Sequence, residues 1–273
     1  MNPASAAVSM ALVCPAPSTV DGVSVLLRNT GNSTPRRSLV VDDDAGGTVQ
    51  MVFTVGHIKH PDGDVFVDAG LGKVTRDGSY PFWSRPKDQK AVGPGMALVE
   101  QIGGSPGTVL LTHMHLDHIA GLLDFDGTTE VWTTAEEWRT ARTSNVAFNP
   151  RRFQQTVQFK PVDIRAGQAQ QRLQRPAIDV KGDGTIWYLS TPGHTPGSAS
   201  VLVRGTDQVW LFIGDIAWMD DHLGHANRPK LVSLFVDGRP REQKKSLEWA
   251  RQVQEQCPSI NVVAAHEPRW YAK

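Results

Sequence analysis

Four candidate metal ligands lie within six residues of this chain, in the pattern His-x-His-x-Asp-His at residues 113–118. Three more follow at His194, Asp215 and His266, each just after a strand-like apolar run. Because strands that finish on such residues can bring them to one edge of a sheet, we expect all seven side chains to converge. Imidazole and carboxylate groups suit zinc and other borderline divalent ions. The pattern therefore predicts a metal site at a sheet edge.

A purely structural role for these histidines is the alternative to weigh. A single histidine is usually a core or surface residue, and an isolated His-x-His pair arises by chance in many proteins. The full set differs because Asp117 and Asp215 also follow apolar runs, where an unpaired buried carboxylate would be costly. Metal binding by the whole set explains the histidines and the carboxylates together.

Four short motifs, in order along the chain, carry a resemblance to a known family. They are His-x-His-x-Asp-His at 113–118, Thr-Pro-Gly-His-Thr-Pro-Gly at 191–197, Gly-Asp at 214–215 and Ala-His at 265–266. In these motifs the chain resembles the metallo-β-lactamase superfamily of hydrolases. The resemblance implies an α/β fold built as a four-layer αββα sandwich, with the metal site at the edge between the two sheets.

The resemblance also implies how the ligands are shared between two metals. One metal would be held by His113, His115 and His194, and the other by Asp117, His118 and His266, with Asp215 bridging both. Because all seven positions are filled, we expect two zinc ions, although iron or manganese could use the same ligands.

Such a ligand set predicts hydrolysis. Two metals can share a hydroxide that forms near neutral pH and attacks an ester or lactone carbonyl. Asp117 and Asp215 are the predicted catalytic carboxylates, since they hold the metal pair and Asp215 can pass a proton to the leaving group. The alternatives are hydrolysis of a β-lactam, thioester or phosphotriester, or an iron-dependent redox reaction on the same fold.

The segment 191–198 and the C-terminal Ala-His-Glu-Pro look closest to the branch that opens N-acyl-homoserine lactones. Those enzymes commonly have a tyrosine three residues after the bridging aspartate, where this chain has Trp218. An indole N–H can donate a hydrogen bond but cannot act as a proton acid. We predict that Trp218 and His222 bind substrate, and that His57 and His60 are structural or exposed.

The predicted hydrolase chemistry implies a small-molecule substrate, and the charge balance argues against a nucleic-acid partner. The chain has 28 basic and 28 acidic residues, whereas a nucleic-acid surface usually needs a basic excess. No apolar run is long enough to predict a membrane helix, and the sequence does not predict an oligomeric state.

Cys14 and Cys257 lack any ligand or disulfide pattern, so free thiols are expected. The short apolar segment 6–13 has no preceding Lys or Arg, which favours a cytoplasmic protein over a secreted or periplasmic one.

The chain divides into a poorly patterned N-terminal extension, residues 1–48, and a catalytic domain, residues 49–273. A hairpin over residues 50–67 leads to an Asp-x-Gly loop at 68–70. Residues 75–95 read as an irregular insertion, and the polar stretch 143–175 as a lobe that covers the site. Thr134 and Glu137 have capping-box spacing, and residues 242–256 have helical periodicity.

Overall fold

Two sheets form the centre of the protein, which was analysed as a computed structural model that describes residues 11–77, 92–143, 155–165 and 170–271. The first sheet has the order β1-β2-β3-β4-β5-β6. Its strands are β1 Ser24–Ser33, β2 Met51–Lys59, β3 Val65–Val67, β4 Thr108–Leu110, β5 Glu130–Thr134 and β6 Gln158–Val162. The second sheet has the order β12-β11-β10-β9-β8-β7. Its strands are β7 Gln170–Arg172, β8 Arg175–Asp179, β9 Ile186–Ser190, β10 Ala199–Arg204, β11 Val209–Phe212 and β12 Ile260–Val263.

The helices are α1 Lys73–Arg76, α2 Leu98–Ile102, α3 Leu116–Ile119, α4 Ala135–Thr143, α5 Asp220–Leu223, α6 Lys230–Val236 and α7 Pro240–Gln256. Residues of α2, α3 and α4 pack on the outer face of the first sheet and residues of α5 and α7 on that of the second, whereas α6 has no buried residue. The prediction of a helix near residues 242–256 is confirmed by α7, which begins at Pro240 because the fixed φ of proline suits the first turn. Its buried residues Trp249, Ala250 and Val253 pack into the core of the second sheet.

Side-chain alternation along the strands builds the layers. In β9, Ile186 and Tyr188 pack between the sheets, whereas Trp187 and Leu189 face the core under α7. In β4, Leu110 points inward and Val109 points toward the helices over the first sheet. Because successive strand residues point to opposite faces, each sheet can bury both faces, which gives the layered αββα arrangement that the motifs implied.

Three expectations from the sequence differ from the structure. Strand β1 lies inside the supposed extension 1–48 and pairs antiparallel with β2. Its alternation is hard to recognise because it is an edge strand with largely polar, partly exposed residues. The described parts of the stretch 143–175 include the edge strands β6 and β7 and the first residue of β8. The rest of that stretch, and most of the insertion 75–95, lies outside the described residues.

The third difference concerns the cysteines. Cys14 and Cys257 form a disulfide across 243 residues of sequence, with their Cα atoms 5.5 Å apart. The expectation of free thiols was wrong, because a pairing across this distance in sequence depends on the tertiary fold. The bond ties the N-terminal segment to the end of α7, beside the core residue Leu12. In the described parts of the chain, no helix has the length and apolar character of a membrane span.

Candidate metal centre

The strand ends deliver the ligands to one place. Strands β3, β4 and β5 run parallel, as do β11 and β12. The His-rich segment follows β4, Asp215 follows β11 and His266 follows β12, so all three leave the carboxyl ends of parallel strands. The fourth segment is the loop between β9 and β10, which carries His194. Gly193 lets this loop lie against α7, since a Cβ there would come within 2.3 Å of Gln243.

The seven side chains lie together in two groups. Within each group, one nitrogen or oxygen from every residue lies within 4.8 Å of the others. The groups are His113, His115, His194 and Asp215, and Asp117, His118 and His266. The structure thus brings together every residue that the motifs suggested as a metal ligand.

Asp215 lies between the two groups and faces each with a different oxygen. Its Oδ2 atom is 3.2 Å from His194 Nε2 and 3.9 Å from His113 Nε2. Its Oδ1 atom is 3.2 Å from His118 Nε2 and 3.3 Å from His266 Nε2. A carboxylate in this position has the geometry of a shared ligand.

Buried atoms without partners test whether a metal fits here. Among the described residues, His113 Nε2, His118 Nε2 and Asp215 Oδ1 are buried and form no hydrogen bond of acceptable geometry, although His118 Nε2 and Asp215 Oδ1 lie 3.2 Å apart. Leaving such atoms unsatisfied costs roughly 1–3 kcal/mol each. All three belong to the ligand set and point into the same space, so divalent cations with nitrogen and oxygen preferences would satisfy them.

The pKa shifts of the candidate ligands differ in direction across the site. Burial lowers the pKa of His115 to about 3, with the neighbouring His194 adding to the effect. Burial lowers the pKa of His113 well below its usual value. For Asp215, burial raises the pKa, but the charges of His266 and His118 outweigh burial and hold it well below its usual value. For His118, burial lowers the pKa, but the charges of Asp68 and Asp215 outweigh burial and raise it well above its usual value. The charge of Asp215 likewise outweighs burial and raises the pKa of His194. Because metal binds neutral imidazoles and ionised carboxylates, metal binding here would displace protons from these two rings.

Carboxylates and carbonyls fix the orientation of the histidine rings. Asp68, on the loop after β3, has one oxygen 2.7 Å from His118 Nδ1 and the other accepts the Thr112 amide at 2.7 Å. His266 Nδ1 donates to the carbonyl of Val52 at 2.9 Å. Such contacts orient the ligand rings and are typical of metal sites.

His194 is oriented by a buried ion pair that the sequence did not suggest. Its Nδ1 atom is 3.0 Å from Asp237 Oδ1. Arg228 forms an ion pair with that carboxylate and donates to the backbone carbonyls of Asp215 and Ile216. The side chains of Arg228 and Asp237 are 6% and 1% exposed. No motif pointed to this pair, because Arg228 lies before α6 and Asp237 after it, and only the fold joins them to the site.

The two residues predicted to bind substrate occupy different positions. Trp218 is half-buried, and its indole N–H donates to Asp215 Oδ2 at 2.8 Å. His222 is buried, with Nδ1 accepting the Trp218 amide at 3.1 Å and Nε2 donating to the Val40 carbonyl at 2.9 Å. Burial lowers the pKa of His222 to about 4, with Arg228 adding to the effect. Both ring nitrogens of His222 are engaged within the protein, so its position does not support a polar substrate contact.

The indole–carboxylate contact predicts how a Trp218 variant behaves. Trp218→Phe removes the N–H that orients Asp215, and a hydrogen bond to a charged group contributes about 1.5–3 kcal/mol. We expect kcat/KM to fall by about 10- to 100-fold, whereas Trp210→Phe, a half-buried tryptophan on β11, should leave it unchanged. Steady-state kinetics on the metal-loaded variants would measure this. Identical kinetics for wild type and Trp218→Phe would show that the indole only packs.

Comparison with known proteins supplies the family. A family model described as a beta-lactamase superfamily domain matches residues 65–259. N-acyl homoserine lactonase AttM from Rhizobium johnstonii is 28% identical over 227 residues, which cover 77% of this chain and 80% of that protein. The protein of the same name from Agrobacterium fabrum is 27% identical over 231 residues, covering 79% of this chain and 81% of that protein.

Solved structures are similar in fold at low sequence identity. One is an N-acyl homoserine lactone hydrolase with its product N-hexanoyl-L-homoserine bound at the catalytic metal centre, with a TM-score of 0.69, 16% identity, and coverage of 90% of this chain and 94% of that one. Another is AidC, a dizinc quorum-quenching lactonase, with a TM-score of 0.63, 12% identity, and coverage of 95% and 91%. These likenesses confirm the predicted fold.

Proposed function

Because this chain belongs to the β-lactamase superfamily, we propose that it is a dinuclear zinc hydrolase that opens the ring of an N-acyl-homoserine lactone. The observation that carries the proposal is the position of Asp215, with one oxygen toward each ligand group. The two AttM relatives are named for this activity. AidC is described as a dizinc enzyme, which supports zinc here.

The chemistry divides between the metals and the protein. When bound, two such ions lower the pKa of a shared water to around 7 and polarise a carbonyl oxygen. Asp215, kept ionised by the surrounding histidines, holds the two ligand groups at a fixed separation and can carry a proton to the departing ring oxygen. Asp117, whose Oδ2 lies 3.6 Å from His266 Nε2, adds the second carboxylate of the site. No serine or cysteine nucleophile is required.

An exposed apolar surface near this site suits the acyl chain of such a substrate. Leu231, Leu234 and Phe235 on α6 are 73%, 69% and 85% exposed. The residues flanking α6, Arg228 and Asp237, contact the backbone of Asp215 and the ring of His194. A seven-residue helix is about 10 Å long, so α6 lies within about one helix length of the residues that contact Asp215 and His194, and we propose that its apolar side chains bind the acyl chain.

This surface gives a prediction about chain length. Replacing Leu234 and Phe235 together by serine should raise KM for a decanoyl lactone by about 10-fold or more, since each buried CH₂ contributes about 0.8 kcal/mol, and should leave a butanoyl lactone unaffected. Leu26→Ser, at an exposed leucine on the β1 edge, is the matched control. Equal KM changes for both lactones would remove α6 from the binding site.

The proposal is tested by a panel of substrates with the zinc-loaded protein. The panel contains acyl-homoserine lactones, aryl esters, β-lactams, thioesters and phosphotriesters. Lactones are expected to have the highest kcat/KM, because the site is proposed to fit a cyclic ester with an apolar tail. A higher kcat/KM for any other bond would replace this function with that one.

Metal content gives a second test. The purified protein should bind close to two zinc ions per chain, and His118→Ala should lose one of them, because only the group of Asp117, His118 and His266 loses a ligand. Elemental analysis after removal of excess zinc measures this. One ion per chain at saturation, unchanged in His118→Ala, would exclude the dinuclear site.

A further inference from the structure

Glu137, at the start of α4, is buried with 2% exposure, yet its carboxylate contacts two of the segments that carry metal ligands. Its Oε1 atom accepts the backbone N–H of Met114 at 2.8 Å. Its Oε2 atom accepts the Thr195 hydroxyl at 2.6 Å and the Gly197 N–H at 3.3 Å. All three donors are neutral.

The spacing that suggested a capping box is only half used for capping. Thr134 Oγ1 accepts the Glu137 N–H at 3.0 Å, as a helix cap does. The Glu137 carboxylate does not return to its own helix and instead reaches the ligand segments. Burial raises the pKa of Glu137, while the hydrogen bonds from Thr195 and Met114 oppose that rise. Burying a carboxylate among neutral donors is costly, which indicates a role beyond capping.

The Glu137 carboxylate contacts the segments that carry one of the two ligand groups. Met114 lies between His113 and His115 in sequence, and Thr195 directly follows His194. These three histidines form the first ligand group together with Asp215. The other group is held separately, with His118 oriented by Asp68 and His266 by the Val52 carbonyl.

The packing around Glu137 leaves little freedom for the two segments to separate. A Cβ on Gly197 would lie 2.1 Å from the Glu137 nitrogen, so only glycine allows this close approach. Thr134 Oγ1 also donates to the Gly197 carbonyl at 2.7 Å. The first turn of α4 therefore holds the 191–197 loop against the His-rich segment.

We propose that Glu137 is a positioning residue that preorganises the metal subsite formed by His113, His115 and His194, and not the subsite formed by Asp117, His118 and His266. Its one carboxylate fixes the spacing between two segments, one at Met114 and the other at residues 194–197, that begin 80 residues apart in sequence. The inference rests on the metal site of the proposed function but not on the lactone substrate.

Cobalt(II) binding tests this inference without any substrate. Titration of the metal-free protein, followed by visible absorption in competition with a chelator, should resolve two binding steps. His115→Ala and His118→Ala assign each step to its subsite. In Glu137→Gln, an amide NH₂ replaces one acceptor oxygen and meets the N–H of Gly197 or Met114. We expect the step lost in His115→Ala to weaken by about 10- to 100-fold and the other step to stay unchanged.

The control is a carboxylate with the same kind of contacts elsewhere. Asp179 accepts the N–H groups of Gly182 and Gly184 in the turn between β8 and β9. Asp179→Asn should change neither cobalt-binding step. Thr195→Val removes only one of the donors to Glu137, so it should weaken cobalt binding at the same subsite as Glu137→Gln but by a smaller factor. If Glu137→Gln does not fold, Thr195→Val tests the inference in its place.

The inference fails if both steps weaken equally, since Glu137 would then support the fold as a whole. It also fails if the first step keeps its affinity in both Glu137→Gln and Thr195→Val. A protein that binds two cobalt ions as expected but opens no lactone would refute the proposed substrate and leave the role of Glu137 standing.

Discussion

Asp215→Ala is expected to lose both metal ions and to lower kcat/KM by at least about 10³-fold, equivalent to about 4 kcal/mol. The reason is that each oxygen of Asp215 faces a different ligand group, so one substitution removes a ligand from both. Elemental analysis and lactone kinetics on the same preparation measure the two losses together.

The control for this substitution is Asp221→Asn. Asp221 is a nearby acid whose ion pair with Arg37 is partly exposed, and such pairs contribute little to stability. The Asp221→Asn protein should keep both metal ions and its activity. An Asp215→Ala protein that retained two zinc ions would show that Asp215 is not a shared ligand.

Arg228→Met is expected to destabilise the protein by about 3–5 kcal/mol, because it leaves a buried carboxylate without its cation. Burial raises the pKa of Asp237, and at present the hydrogen bond from His194 and the charge of Arg228 hold it below its usual value. The substitution also removes the contacts to the carbonyls of Asp215 and Ile216. Chemical denaturation of the metal-free protein measures the free energy of unfolding without the contribution of metal binding.

A double variant separates the ion pair from the packing of Arg228. Arg228→Met combined with Asp237→Asn should recover part of the lost stability, since no unpaired charge remains, and the coupling between the two sites can be read from the cycle. Simple additivity of the two single effects would mean that the ion pair does not account for the destabilisation by Arg228→Met.

The seven candidate ligands that the structure brings together could be selected from sequence because their signals are local. Asp215 and His266 each follow a run of apolar residues, and such runs form strands whose ends meet at one sheet edge. The layered fold was accessible through the same motifs. Trp218 was singled out because it lies three residues after Asp215, although its contact with that carboxylate could not be foreseen.

The residues that support the ligands were not accessible in the same way. Arg228 and Asp237 meet only because the two ends of α6 come together beside His194. Glu137 gave a misleading local signal, since its spacing from Thr134 matches a helix cap while its carboxylate bonds to segments distant in sequence. Contacts made by tertiary packing leave no periodicity, and this also applies to the Cys14–Cys257 pair.

The most direct test of the account is the rate at which the protein opens N-hexanoyl-homoserine lactone, measured by acid release in three states. The zinc-loaded protein should reach a kcat/KM of at least about 10⁴ M⁻¹ s⁻¹, the chelated protein should be inactive, and two equivalents of zinc should restore the rate. If the zinc-loaded protein has both subsites filled but opens the lactone no faster than the uncatalysed rate, the proposal that it is a dinuclear zinc lactonase is contradicted.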